Sequence, residues 1–166
     1  GPQKPLPHDE NAFPAESDKD WTDKLEHYGD QAYGWAKAGS GSTCPHTITV
    51  GNGKTYFVKK AGLNSTYDKK ACKNEANANQ FIRLAGLNAP DSKYYKVGGD
   101  RFCVTEAADT SGGQIDSNLS NPNVQKQLQE AYPLMALMYN MDIMQNGDNA
   151  FVDSNGNVVF IDNGST

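Results

Sequence analysis

An α+β fold is what this chain of 166 residues predicts, and three observations carry it. The run Tyr56-Phe57-Val58-Lys59-Lys60 is β-type in composition and alternates between two faces. From Lys73 to Leu87, apolar residues recur at helical spacing. Near the end, Ala150-Phe151-Val152 and Val158-Val159-Phe160-Ile161 flank Asp153-Ser154-Asn155-Gly156-Asn157. Asn-Gly between apolar runs is a strong hairpin signal, because both central turn residues accept positive φ.

Composition narrows the function classes. Hydrophobic residues make up 37%, low for a globular chain, and the N-terminal stretch accounts for much of the deficit. The net charge of -5 supplies no basic field to recruit nucleic acid or an anionic membrane. No apolar run approaches the roughly 20 residues of a membrane span. Cys44, Cys72 and Cys103 form no CxxC pair, and His8, His27 and His46 are not spaced with them as zinc ligands. Reduced, packed thiols fit best, with one disulfide plus a free thiol as the alternative in a secreted protein. Gly1-Pro2 reads as the scar of a cleaved tag, so an upstream signal peptide would leave no trace.

Taken in order, residues 1–20 read as a flexible leader, rich in proline and charge and without periodicity. Trp21 to Lys37 then fits an amphipathic helix weakened by Gly29 and Gly34, laid as packing across the following sheet. Gly39-Ser40-Gly41-Ser42-Thr43 precedes a strand over Thr47 to Val50. Such a turn can close over phosphates with its backbone N–H groups, although most Gly-Ser loops are only loops. In Tyr56 to Lys60 the alternation puts Phe57 and Lys59 on one face, and Tyr56, Val58 and Lys60 on the other.

The helix from Lys73, closed by Gly86, buries a stripe of Ala78, Phe81, Ile82 and Ala85. Glu75 falls on that same side, and an inward carboxylate needs a cation, which Lys59 would supply. Tyr94 to Val97 and Arg101 to Glu106 read as two strands around Gly98-Gly99-Asp100. Thr110 to Asn123 reads as a polar linker, and Val124 to Met141 as a long helix with Leu128, Ala131, Leu134, Met135 and Met138 on its apolar face. Pro133 implies a kink there, or a helix start nearer Pro133. The terminal hairpin has Asp142 and Asn149 just before it and Asp162 just after it, so these three can converge on one point. Phosphoryl transfer uses such a set: one carboxylate orients the attacking hydroxyl, while an Asn and a second Asp hold magnesium against phosphates.

The string Asn140 to Gly164, NMDIMQNGDNAFVDSNGNVVFIDNG, resembles the catalytic loop, hairpin and metal-binding loop of atypical protein-kinase-like folds. The nearest likeness is to HipA-like kinases, type II phosphatidylinositol kinases and the kinase-like modules of bacterial effectors and toxins. NEANANQFIRLAGLNAPDSKYY, from Asn74 to Tyr95, is similar to the family's glutamate helix and the turn after it. The resemblance implies a protein-kinase-like α+β fold: a small antiparallel-sheet N-lobe with one helix over 21–109, then a linker and a minimal, truncated C-lobe over 110–166. It implies Asp142 as catalytic base, Lys59 and Glu75 as the phosphate-positioning pair, and Asn149 and Asp162 as Mg2+ ligands. It further implies ATP contacts from Gly39, Ser40, Gly41, Ser42 and Lys59, and from the backbone of Glu106 and Ala107 at a hinge. The partner implied is a protein or small-molecule substrate, with a secreted effector or toxin as one setting.

The match departs from ordinary kinases in several places. The Gly/Ser turn is not GxGxxG, and Asp162-Asn163-Gly164 stands in place of DFG. The gap from Asp142 to Asn149 is longer than in HRDxxxxN, which leaves Asn146 and Asp148 as competing ligands. The chain stops two residues past the DNG motif, which reads as a truncated chain, a minimal family, or a fold that a partner completes. The other readings are a kinase-fold enzyme that transfers AMP, a non-catalytic nucleotide-binding or interaction module, and a calcium-binding hairpin built on DNAFVDSNGN. The last lacks the bidentate Glu and ligand spacing of an EF-hand loop.

Overall fold

Alternating runs in the middle of the chain pair into an antiparallel sheet. The structure, a computed structural model, describes residues 12–13, 17–39, 44–51, 53–62, 66–141 and 149–161. These build a mixed α+β protein. The strands β1 (Ala36–Lys37), β2 (His46–Thr49), β3 (Thr55–Lys60), β4 (Ser92–Val97) and β5 (Asp100–Glu106) lie in the order β1-β2-β3-β5-β4. All neighbours are antiparallel, with Lys59 opposite Cys103 and Tyr94 opposite Cys103. Described residues form two compact units, one from 12–77 with 91–107 and the other from 78–90 with 108–161.

In the first unit the side-chain period of two sorts each strand between two cores. Ile48, Tyr56, Val58, Tyr95, Phe102 and Val104 form the floor of one core, roofed by Trp21, Leu25 and Trp35. Trp21 and Leu25 come from α1 (Asp18–Leu25), which is shorter than the helix expected over Trp21 to Lys37. That expectation is corrected: Gly29 and Gly34 both have positive φ, and the chain turns through one 3-10 turn at Gln31–Tyr33 into β1. The apolar spacing past Leu25 therefore belongs to a turn and an edge strand, with Trp35 delivered to the core by the turn.

Of the stretch 1–20 read as a flexible leader, residues 1–11 and 14–16 lie outside the described residues, while 12–13 and 17–20 are structured. Ala12 and Phe13 are buried, and Phe13 packs edge-on to Tyr56 with centroids 5.6 Å apart. The Tyr56 hydroxyl donates to the Ala12 carbonyl at 2.6 Å, a backbone tie that composition does not reveal. Asp18 begins α1 and accepts from Lys93 at 2.6 Å.

The second core of this unit lies on the face that carries Lys59 and Cys103. Tyr67, Cys72, Ala76 and Cys103 build it, with the first turns of α2 (Lys69–Leu84) supplying Cys72 and Ala76. The helix starts four residues before the expected Lys73. Asp68 accepts from Ala71 N at 2.8 Å as an N-cap, and Tyr67 and Cys72 stand at the two positions that commonly staple a helix start. At its other end, Gly86 N donates to Arg83 O and Leu87 N to Ile82 O, the paired bonds of a Schellman stop.

The second unit packs the hairpin β7 (Asn149–Val152) and β8 (Val158–Ile161) against α3 (Pro122–Asn140). The helix begins at Pro122, not near Pro133, because Pro122 suits the first helical turn and Asn121 accepts from Asn123 N at 2.9 Å. Pro133 is carried inside it. Val124, Ala131 and Met138 are buried against Val152, Val158 and Phe160. Tyr132, Leu137 and Met141 are exposed. The stretch expected as a plain linker instead holds β6 (Gly113–Gln114) and a 3-10 turn at Ile115–Asn118. β6 pairs with β7, and just before it Gly112 N donates to Val152 O at 2.8 Å, where an added Cβ would meet the Val152 and Asp153 carbonyls at 2.7 Å. Among the described residues no helix is long and apolar enough to cross a membrane.

The Phe13 contact is testable. Phe13→Ala should lower unfolding stability by about 3 kcal/mol, the usual cost of emptying a buried aromatic site. Urea titration would show it as a lower midpoint at constant slope. An unchanged midpoint would mean the N-terminal segment does not dock on Tyr56.

Candidate functional site

Strand phase decides what β3 offers. With Tyr56 and Val58 committed to the first core, Lys59 must project from the opposite face, toward α2. There its Nζ lies 2.7 Å from Glu75 Oε1, with the two side chains only 14% and 6% exposed. Lys60 projects the other way and meets Asp100 at 3.5 Å in an exposed pair. The two adjacent lysines thus differ sharply in environment. A buried ion pair holds its partners together, because removing either one strands the other charge away from water.

The carboxylate of Glu75 has a second protein partner. Tyr67, immediately before the Asp68 cap, donates its hydroxyl to Glu75 Oε2. Lys59 Nζ also sits 5.7 Å from the centroid of the Tyr67 ring, within cation–π range. Burial above all, with the nearby Glu75 carboxylate, raises the Tyr67 phenol well above its ordinary pKa, so it stays a donor. Burial likewise pushes the Cys72 thiol up to about 12 and the Cys103 thiol well above its ordinary value. Both thiols are therefore neutral packing groups beneath the pair. All three cysteines are free.

The remaining predicted residues fall in several places. Gly39 is exposed at the start of the β1–β2 connection, whose ends are tied by Ala38 N donating to Pro45 O at 2.8 Å. Ser40, Gly41 and Ser42 lie outside the described residues. Glu106 ends β5, and its N–H donates to Asp91 O, while Ala107 N donates to Thr55 O. Both N–H groups at the expected hinge are therefore already used within the unit. The Glu106 side chain is engaged too, accepting from Asp91 N at 3.0 Å.

Asn149 opens β7 directly opposite Ile161, the last residue of β8. The hairpin register therefore brings the two strand ends together, as the turn signal implied. Asp142 and Asp162, with the competing Asn146 and Asp148, lie outside the described residues. Asp153 is a turn former: its Oδ1 accepts from Asn155 N and Asn157 N, both at 2.9 Å. That use fits an ordinary hairpin turn better than a calcium loop. A second carboxylate, Asp109, takes donors from Ser111 and from Ser154 in that turn, and these hydrogen bonds hold it well below the usual carboxylate range.

Compared with models of known protein families and with curated proteins, the chain matches none.

Sequence reasoning missed Tyr67. The signal was present: an aromatic just ahead of an Asp cap, with Cys72 five residues later, marks a stapled helix start. Placing the start at Lys73 left Tyr67 outside the helix argument.

The contrast between the lysines gives a stability test. Glu75→Ala strands Lys59 and should cost about 3 kcal/mol, in line with breaking a buried pair. Lys60→Met should change stability by no more than about 0.5 kcal/mol, as for an exposed pair. Denaturant midpoints of the two variants decide it; similar losses would mean that Lys59 and Glu75 are not a buried anchor.

Proposed function

We propose that the protein is a kinase-like phosphotransferase that uses Mg2+ and ATP to modify a hydroxyl on a protein or small-molecule substrate. The buried Lys59–Glu75 pair is the observation that carries this reading. A lysine paired with a buried carboxylate has its ammonium fixed on the strand, and an ammonium suits the charge of phosphate oxygens. Supporting it, the sequence places a Gly/Ser-rich stretch ahead of β2 and β3, and the helix after the lysine strand supplies the glutamate.

In this reading Lys59 positions the α- and β-phosphates and Glu75 orients Lys59. Backbone N–H groups of the turn from Gly39 to Ser42 cover the phosphates. The backbone at Glu106 and Ala107 meets adenine. Asp142 orients the attacking hydroxyl and takes its proton. Asn149 and Asp162 would hold the metal, which neutralises charge developing on the transferred phosphoryl group. A protein-kinase-like fold, a completing partner or segment, and an effector-like setting belong to the same proposal.

The test is thermal unfolding with and without Mg·ATP. Ligand bound only to the native state at 100 times its Kd adds about 2.7 kcal/mol, a rise in Tm of about 5 °C or more for a chain of this size. The expected result is such a rise in the wild type and none in Asp162→Ala, with ADP rather than pyrophosphate as the product of turnover. No rise in the wild type would overturn the nucleotide reading, and pyrophosphate would overturn the assignment to phosphoryl transfer.

A further inference from the structure

We infer that Tyr67 is a positioning residue of the lysine site, pinning Glu75 so that its carboxylate stays presented to Lys59. The functional consequence rests on the nucleotide reading above; the pinning itself rests on geometry alone. Glu75 sits two turns into α2 and, without a second constraint, its flexible side chain could turn about its own rotamers. The structure supplies that constraint. One carboxylate oxygen takes Lys59 at 2.7 Å and the other takes the Tyr67 hydroxyl. Two donors on two oxygens fix both the position and the plane of the carboxylate, which a single ion pair does not.

Tyr67 is itself well placed to hold still. It is 3% exposed, and its ring packs with Cys72, Ala76 and Cys103. Asp68, the next residue, is locked as the helix cap by its bond to Ala71 N. The hydroxyl is thus referenced to the same helix that carries Glu75, and its ring lies beside the Lys59 ammonium. Chemically, the phenol adds no charge: it donates to one carboxylate oxygen while Lys59 takes the other. Movement of Glu75 would carry Lys59 with it. Tyr67 therefore acts on phosphate binding only through Glu75.

Tyr67→Phe is the decisive variant, because it keeps the ring and its packing and removes one oxygen. Two readouts are taken. The first uses the nucleotide-free protein with 15N-labelled lysine, following the Lys59 ammonium by NMR and assigning it with Lys59→Met. A rigid, slowly exchanging signal is expected in the wild type, and its broadening or loss in Tyr67→Phe. An unchanged signal would overturn the pinning role. The second is calorimetric Kd for Mg·ATP, measured in the wild-type and Glu75→Gln backgrounds. Tyr67→Phe should weaken binding about tenfold in the wild type, the size of one charge-assisted hydrogen bond, and add nothing in Glu75→Gln. A merely structural role would lower Tm without this background-dependent loss. Equal loss in both backgrounds would overturn action through Glu75. Wild-type protein that binds no Mg·ATP would overturn the nucleotide reading and the functional half of the inference, while the ammonium signal still decides the pinning.

Discussion

A carboxylate and an ammonium enter a protein interior only together, and the geometry of the first unit follows from that constraint. Lys59 and Glu75 meet at 2.7 Å with little exposure of either side chain. For this, β3 must keep Tyr56 and Val58 in the core beside α1, since a slip of one residue would send Lys59 to the wrong face. α2 must start at its Asp68 cap, so that Glu75 falls two turns in and faces the sheet. Tyr67, held by the staple at that start, completes the carboxylate's partners. One polar contact thus depends on strand register, helix start and an aromatic anchor at once. Buried ion pairs are a weak source of net stability, and here the pair is better understood as fixing an arrangement than as holding the fold together.

The second unit solves a different problem, which is to hold a short hairpin that would be marginal alone. The α3 side chain of Gln127 bonds both strand-side groups of the turn, donating to Gly156 O at 3.0 Å and accepting from Val158 N at 2.8 Å. From the other side, β6 adds a third strand, and Asp109 holds Ser154. The turn end of the hairpin is therefore tied to the unit by side chains. Its open end, with Asn149 opposite Ile161, is where the sequence places its acid-rich loops.

Local patterns were the legible part of the sequence. Alternation in β3 separated Lys59 from Lys60, and helical spacing turned Glu75 inward, both as the structure has them. The Asn-Gly hairpin was also plain, because its turn chemistry is written in adjacent residues. What escaped was set by distant contacts. Phe13 looked like part of a leader because its partners, Trp21 and Tyr56, are far enough away to leave no periodic trace. Gly29 and Gly34 read as weak points in a helix, but the helix has already ended at Leu25 and both lie, with positive φ, in the turns that follow it. Residues 113–114 looked like linker because a two-residue strand is too short to show alternation. The expected hinge donors at Glu106 and Ala107 are used by Asp91 and Thr55, a matter of tertiary pairing that sequence does not display.

Lys59 is proposed as the lysine that meets nucleotide phosphates, and an ATP analogue carrying an acyl phosphate in place of its terminal group tests this directly. Such a reagent acylates the lysine amine beside the bound phosphates, and peptide mass spectrometry locates the mark. Labelling should concentrate at Lys59 and be suppressed by excess Mg·ATP, with neighbouring Lys60 left largely unmodified. Labelling spread over exposed lysines and indifferent to Mg·ATP would contradict it.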